Sequence, residues 1–231
     1  MNIFTDCGLD ISRENIEKFD LYKDLLKEWN QKINLTAITD DQEIWEKHFL
    51  DSSMSLKFDL IKSGDSVIDI GTGAGFPGLP IKIMKDDINL TLLDSLNKRI
   101  NFLMHVSDEL NLENIEFVHG RAEDFGKDDD FRQSYDIAVS RAVSALPVLL
   151  EFCLPFVKLG GKFISYKGPG YKEEIESAKK ALEVLGGAVK DVLEFELPDG
   201  SERYLVVIEK VSETPDKYPR RAGKVTKKPI V

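Results

Sequence analysis

The chain is short of cysteine and histidine and has no long apolar run, and each shortage removes a class of function. Cys7 and Cys153 are the two cysteines in 231 residues. They cannot build a disulfide framework and stand at no metal-binding spacing, which fits a reducing, cytoplasmic setting. The three histidines, His48, His105 and His119, share no ligand spacing, so no metal is expected. The longest apolar stretch, residues 145–157, is interrupted by Pro147, Glu151 and Pro155. It is too short and too broken to span a bilayer, so no membrane partner is expected. The opening MNIFTDCGLD lacks the basic-then-apolar order of a secretion signal. Positive charge is scarce too: 31 Lys and Arg face 41 Asp and Glu, a net charge of -10. A nucleic-acid partner needs local positive charge. That charge is concentrated at one end, where Lys217, Arg220, Arg221, Lys224, Lys227 and Lys228 occur with no acid among them. Such a run is either a phosphate-binding tail or a solvated terminus.

What the chain does have is enough apolar material for one sizeable α/β domain, at 42% hydrophobic residues. Residues 11–33 carry Ile16, Phe19, Tyr22, Leu25, Leu26, Trp29 and Ile33 at helical spacing. A second helix is expected over about 41–58. From Asp65 onward β-rich runs at 66–70, 89–93, 115–119, 135–140 and 162–167 alternate with helical stretches near 78–85, 96–111, 144–158 and 171–185. That alternation predicts a parallel sheet with crossover helices. Runs at 188–197 and 203–211, joined by Pro198-Asp199-Gly200-Ser201, predict a closing hairpin. The fold class is therefore α/β: a Rossmann-like seven-stranded sheet, mostly parallel with one antiparallel strand. The chain divides into an N-terminal helical cap (1–60), the core (61–211) and a basic C-terminal tail (212–231).

The chemistry-bearing segment is VIDIGTGAGFPG, residues 67–78. A strand ends at Ile70 and glycines follow at 71, 73, 75 and 78, where backbone N–H groups can approach a ligand closely. Ligands of open α/β sheets bind beyond the carboxyl ends of the strands. Gly73, Gly75 and Gly78 match GxGxxG literally, so a nicotinamide dinucleotide and an oxidoreductase are fair rivals. Asp69 argues against them. A carboxylate at the strand end would repel a pyrophosphate, whereas it suits the ammonium and sulfonium cations of S-adenosylmethionine. Pro77 also removes an N–H that a phosphate would want. Asp94, ending the second strand, can accept from both ribose hydroxyls, or cap the helix that follows. Ala122 and Glu123, after the third strand, fall where an adenine edge would lie.

Several of these segments resemble one family. DIGTGAGFPGLP, LLDSLNKRINFL, ENIEFVHGRAEDF, DIAVSRAV and YKG look like the bacterial RsmG (GidB) proteins. So do WNQKINLTAI, HFLD, GSERYLVVIEK and the tail KYPRRAGKVTKKPI. The resemblance runs in order through nearly the whole chain. It implies a class I methyltransferase sheet and methyl transfer from S-adenosylmethionine to guanine N7 in 16S ribosomal RNA, free or within the small ribosomal subunit. It puts cofactor contacts at Gly71, Phe76, Ala122, Glu123 and Arg141, beside Asp69, Gly73 and Asp94 from the loop reading. Phe76 stands where some relatives carry an aliphatic residue. Arg141 and Lys167, at the ends of the fourth and fifth strands, are the candidate catalytic residues. Arg141 could instead be a salt bridge to Asp69 or Glu123. RNA contacts are expected from Lys98, Arg99, Lys167, Arg203, Arg220 and Arg221, and a monomer is expected. Guanine N7 carries no proton, so transfer needs positioning and no general base. His48 is read as structural. A methyltransferase for another RNA, a protein or a small molecule, with residues 11–58 as a lid, remains a rival, as does a non-catalytic binding module.

Overall fold

A computed structural model describes residues 3–231; Met1 and Asn2, at the start of the expected cap, lie outside the described residues. A short helix α1 (Ile3–Asp6) leads into α2 (Arg13–Ile33), which starts on an N-cap where Ser12 accepts from the Asn15 N–H. Asn34, at φ 50, ends it in the left-handed conformation that asparagine tolerates. The helix expected over 41–58 is present but not uniform. It begins as α3 (Asp41–Glu43), widens into a π-helical turn (Ile44–Leu50) and continues as α4 (Asp51–Lys57). Such wide turns recur at functional sites because they redirect side chains. Here Phe49 enters the aromatic core and His48 faces the glycine loop.

The sheet follows: β1 (Ser66–Ile70), α5 (Gly78–Met84), β2 (Asn89–Asp94), α6 (Asn97–Glu109), β3 (Ile115–His119), α7 (Ala122–Phe125), β4 (Tyr135–Arg141) and α8 (Leu146–Cys153). After a 3-10 turn at Leu154–Phe156 come β5 (Val157–Lys167), α9 (Tyr171–Ser177), α10 (Lys179–Leu185), β6 (Gly187–Glu196), β7 (Glu202–Lys210) and α11 (Lys224–Lys227). The strand order is β3-β2-β1-β4-β5-β7-β6, with β7 antiparallel to both neighbours. That is the expected seven-stranded sheet with one antiparallel strand. The order reverses between β1 and β4, which opens a crevice at their carboxyl ends.

Three departures from expectation exceed a residue or two. The helix near 144–158 stops early, because Pro155 cannot donate the next helical hydrogen bond. Strand β5 begins at Val157 rather than 162, and its register against β4 slips between Tyr135 and Ile137. The extra residues pass through Gly160 at φ +80. The stretch near 171–185 is two helices meeting at buried Ala178.

The N-terminal helices share the core of the sheet. Phe4, Phe19, Tyr22, Leu26, Ile44 and Phe49 belong to the apolar cluster that also contains Val67, Leu92 and Val139 from the strands. A second cluster fills the opposite face, built on α8 and α10. Among the described residues no helix is long and apolar enough to cross a membrane.

Candidate functional site: a cofactor cavity and its neighbour

The β1–α5 loop turns back over the sheet with Gly71, Gly73 and Gly75 all at positive φ. At Gly71 the constraint is double. Its φ is +73, and a Cβ would stand 2.7 Å from Val143 Cγ2, so a side chain would be strained and would clash. The loop borders a cavity of 530 Å³ that Gly71, Gly73, Phe76, Asp94, Ala122, Glu123 and Arg141 line. Seven of the eight residues expected to bind cofactor are thus brought together.

Asp69 is the exception, and its expected role is corrected. It is fully buried beneath the loop and does not line the cavity. Its Oδ2 accepts the Gly78 N–H at 2.8 Å, while Oδ1 has no hydrogen-bond partner. Burial pushes this carboxyl up to about 7. Asp69 therefore braces the start of α5 from below rather than meeting a ligand's cations. The case against a dinucleotide survives by another route. The Gly78 N–H is already given to Asp69, and the Gly73 N–H to Asp94 Oδ2 at 2.9 Å. Two of the three GxGxxG amides are committed to carboxylates, and the loop offers a pyrophosphate little.

Asp94 does not cap α6, whose N-cap is Leu96 with no side-chain cap bond. Its Oδ1 accepts the Leu96 N–H at 2.9 Å, and Oδ2 faces Gly73 and the Arg99 guanidinium at 3.2 Å. It braces the turn ahead of the helix and places a carboxylate on the cavity wall. Arg99, expected to touch RNA, instead turns inward to Asp94 and lines the same cavity. Lys98 lies on the exposed side of α6, outside this cavity.

Arg141 ends β4 and is almost buried. It pairs with neither Asp69 nor Glu123 but with Asp51 Oδ2 at 2.5 Å, and also donates to the Lys47 carbonyl at 2.8 Å. Its guanidinium lies 5.1 Å from the centre of the Phe76 ring, and His48 stacks on that ring at 4.4 Å. His48 Nδ1 faces Arg141 at 3.2 Å and Nε2 faces Thr36 Oγ1 at 2.8 Å. Burial, reinforced by the Arg141 charge, lowers its pKa to about 3, so the ring is neutral. The Nε2–H form satisfies both contacts: it donates to Thr36 and accepts from Arg141.

A second cavity of 650 Å³ adjoins the first, and His48, Arg141, Ala142 and Val143 line both. Ala142 sits at φ 58, a conformation uncommon outside glycine and a mark of local strain at this partition. Asp51, Lys167, Arg203, Tyr166 and Tyr204 complete the second cavity. Lys167 does not reach the cofactor cavity. Its Nζ is held by the Ser144 carbonyl at 3.0 Å and Glu174 at 2.7 Å. Arg203 stands 3.9 Å from Asp51. Arg220, expected on RNA, is turned inward instead. It binds Glu151 Oε2 at 2.6 Å, and that carboxylate is fully buried in the α8 face. A charge enclosed by apolar residues requires such a partner. Arg221 remains exposed at the surface.

Reasoning from the sequence missed Thr36, Asp51, Val143, Gly223 and Thr226, and read His48, which lines both cavities, as structural. Thr36 and Asp51 lay in segments noted only for their resemblance, NLTA and HFLD. Nothing local marked Gly223 and Thr226, which come from the tail.

A sheet of this order, with a glycine loop after β1, a carboxylate ending β2 and a cavity across the switch point, defines the class I methyltransferase type of protein. Solved structures agree on the fold. A S-adenosylmethionine-dependent methyltransferase from Aquifex aeolicus superposes with a TM-score of 0.53 at 20% identity, over 73% of this chain and 93% of that one. M. jannaschii TYW2 in complex with AdoMet gives 0.53 at 14% identity, over 88% and 79%. Sequence narrows the class. The chain belongs to the GidB family, described as rRNA small subunit methyltransferase G, whose model matches residues 15–205. Ribosomal RNA small subunit methyltransferase G of Clostridium botulinum (strain Eklund 17B / Type B) is 54% identical over 97% of this chain and 95% of its own length. The Clostridium tetani protein of that name is 51% identical over the same shares.

Proposed function

We propose that the chain transfers a methyl group from S-adenosylmethionine to N7 of a guanine in the 16S RNA of the small ribosomal subunit. The observation that carries this reading is the pair of adjoining cavities with Arg141, His48 and Val143 as their common wall. One has the volume and donor set for a nucleoside cofactor, and the other is large enough for a purine. The relatives' printed name supplies the RNA. The parts proposed are a helical cap (1–60), a core (61–211) and a basic tail (212–231).

The fit to the cofactor rests on this structure's own donors. Asp94 Oδ2 presents a carboxylate suited to ribose hydroxyls, with Arg99 as its resting counter-ion. Ala122 and Glu123 form the start of α7, where a backbone N–H and a carboxylate suit an adenine edge. Gly71 keeps the floor open because no side chain fits between it and Val143. S-adenosylmethionine, when bound, supplies a methyl group on a cationic sulfur.

The chain's part is to position and to exclude water. Phe76, clamped between His48 and Tyr22, holds the wall against which Arg141 is packed. The Asp51 and Lys47 contacts fix the Arg141 guanidinium in one orientation at the junction. His48 is neutral with both nitrogens engaged, so it is not poised to take a proton. An acceptor with no proton to lose requires none to be taken. Lys167 and Arg203 give the second cavity positive charge suited to a nucleotide's phosphate.

The test is transfer of tritiated methyl to small-subunit particles from cells lacking the protein. Label is expected in the 16S RNA. Label confined to ribosomal protein, or none, would overturn the proposal.

A further inference from the structure

The basic tail is not a loose appendage. It returns to the core and forms part of the cofactor cavity, because Gly223 and Thr226 line it beside the glycine loop and Asp94. Polar anchors hold it there. The Arg132 guanidinium donates to the carbonyls of Thr214, Tyr218 and Gly126 at 2.6, 2.9 and 2.8 Å. Arg220 is clamped to buried Glu151 by its backbone N–H at 2.7 Å and its guanidinium at 2.6 Å. Val225 is the apolar peg, fully buried.

The other side of the same turn has a different character. Arg221, Lys224, Lys227 and Lys228 line a surface depression of 520 Å³ that shares Gly223 with the cofactor cavity. All four side chains are exposed, and none appears in an ion pair among the described residues. Most other clusters of cations are tied to carboxylates, as Lys23 and Lys27 are to Asp41. Residues 217–228 contribute +6 to a chain total of -10, so the remainder stands at -16. An unpaired cationic cluster on so acidic a body favours a polyanion approaching from this one side.

We propose that residues 214–228 form a strap whose outer cations bind the RNA sugar-phosphate backbone and whose inner face closes the cofactor cavity, so that each ligand strengthens the hold on the other. This rests on the ribosomal RNA reading above. The strap is one short segment with both ligands on opposite sides of Gly223. Phosphates that fix its outer side restrict its departure from the inner side. Binding linkage is reciprocal, so a cofactor that favours the docked strap also favours RNA.

The experiment is calorimetric titration of S-adenosylhomocysteine into the full chain, with and without saturating small-subunit RNA transcript, with methyl transfer followed in parallel samples. The wild type is expected to bind S-adenosylhomocysteine about fivefold or more tightly when RNA is present, within the usual range of coupling between sites. A K224Q/K227Q/K228Q variant removes exposed charges that hold nothing in the fold. It is expected to keep the RNA-free affinity, to lose the enhancement, and to bind RNA with a log–log salt slope shallower by about 2. An enhancement of equal size in wild type and variant would overturn the strap, as would none in the wild type while transfer proceeds. RNA that neither binds nor accepts methyl, as free transcript and as small-subunit particles alike, would overturn the strap and the function together. Anionic phospholipid vesicles are expected to leave the affinity unchanged. Tightening by vesicles and not by RNA would assign the surface to a membrane and overturn the proposal.

Discussion

The two ends of the chain both close the cofactor cavity, and they do so by opposite physics. The N-terminal helices bring Leu35, Thr36 and His48 to it from an aromatic cluster continuous with the sheet's core. Phe49 alone packs against Phe19, Tyr22, Trp45 and Phe76 at ring distances of 4.8 to 6.2 Å. The C-terminal segment brings Gly223 and Thr226 on a few hydrogen bonds, the buried Arg220–Glu151 pair, an exposed Arg132–Asp216 pair and a small apolar contact through Tyr218, Pro219, Val225 and Ile230. Apolar burial on the first scale is lost only with the global fold, whereas a polar attachment can open locally at low cost. One end is a fixed wall and the other a closable one.

The comparison can be broken most forcefully at the fixed wall. Phe49→Ala is expected to lower unfolding free energy by about 3–5 kcal/mol, the usual range for a fully buried phenylalanine. It should also loosen Phe76 and His48, so weaker S-adenosylhomocysteine binding should accompany the earlier urea midpoint. A midpoint within error of wild type would remove the distinction between the two ends.

Arg141→Ala acts where the cavities meet and should leave stability less affected than transfer. The expected loss in kcat is about 100-fold, the scale for removing one positioned donor. Single-turnover transfer at saturating cofactor measures it, and an unchanged rate would show that Arg141 only fills space.

Titration separates the glycine loop from both ends. Asp69 has a folded pKa near 7 against 3.8 for the free group. Between those values the folded chain holds a proton that the unfolded chain has released. Asp69's contribution is therefore full below about pH 4 and is lost as pH rises towards 7. His48, lowered from 6.5 to about 3, runs the other way and loses its contribution as pH falls below 6.5. Comparing wild type with Asp69→Asn cancels the histidine. The variant should gain on the wild type by roughly 2–3 kcal/mol between pH 5 and pH 8, an upper figure for a two-unit window. Parallel stability curves would contradict the buried, protonated state.

The smallest effect is expected at the closable wall. Glu151→Gln weakens the Arg220 clamp and should cost about 1–2 kcal/mol, felt mainly by the tail. Limited trypsin digestion should cut after Arg220 or Arg221 sooner, while the urea midpoint moves less than in Phe49→Ala. Unchanged tail cleavage would mean that the clamp does not hold the strap.

How much of this could be read in the chain beforehand follows the range of each interaction. Strands β1 and β3 have the expected ends, because apolar runs stopped by glycine or polar turns are local signals. The π-helical turn was not legible, since its register is set by packing of Phe49 against residues far along the chain. Asp69 was found, but the sequence does not say on which side of the loop its carboxylate lands. The partner of Arg141 lies 90 residues earlier, in Asp51. The Glu151–Arg220 clamp had left half of its signal. A single carboxylate inside the apolar run 145–157 had to be paired if buried, but nothing in the run named its partner. Free cations and tied cations look alike in sequence, so Arg99 and Arg220 were grouped with Arg221 until the fold separated them.

The most direct test of the whole account is the position of the methyl group itself. Small-subunit RNA methylated by the protein, digested to nucleosides and resolved by mass spectrometry, is expected to yield one new 7-methylguanosine, absent when S-adenosylmethionine is withheld. A methyl group on a ribose, on another base, or on an exocyclic amine would contradict it; ribose hydroxyls and exocyclic amines carry a proton, and the neutral His48 between the cavities has both ring nitrogens engaged.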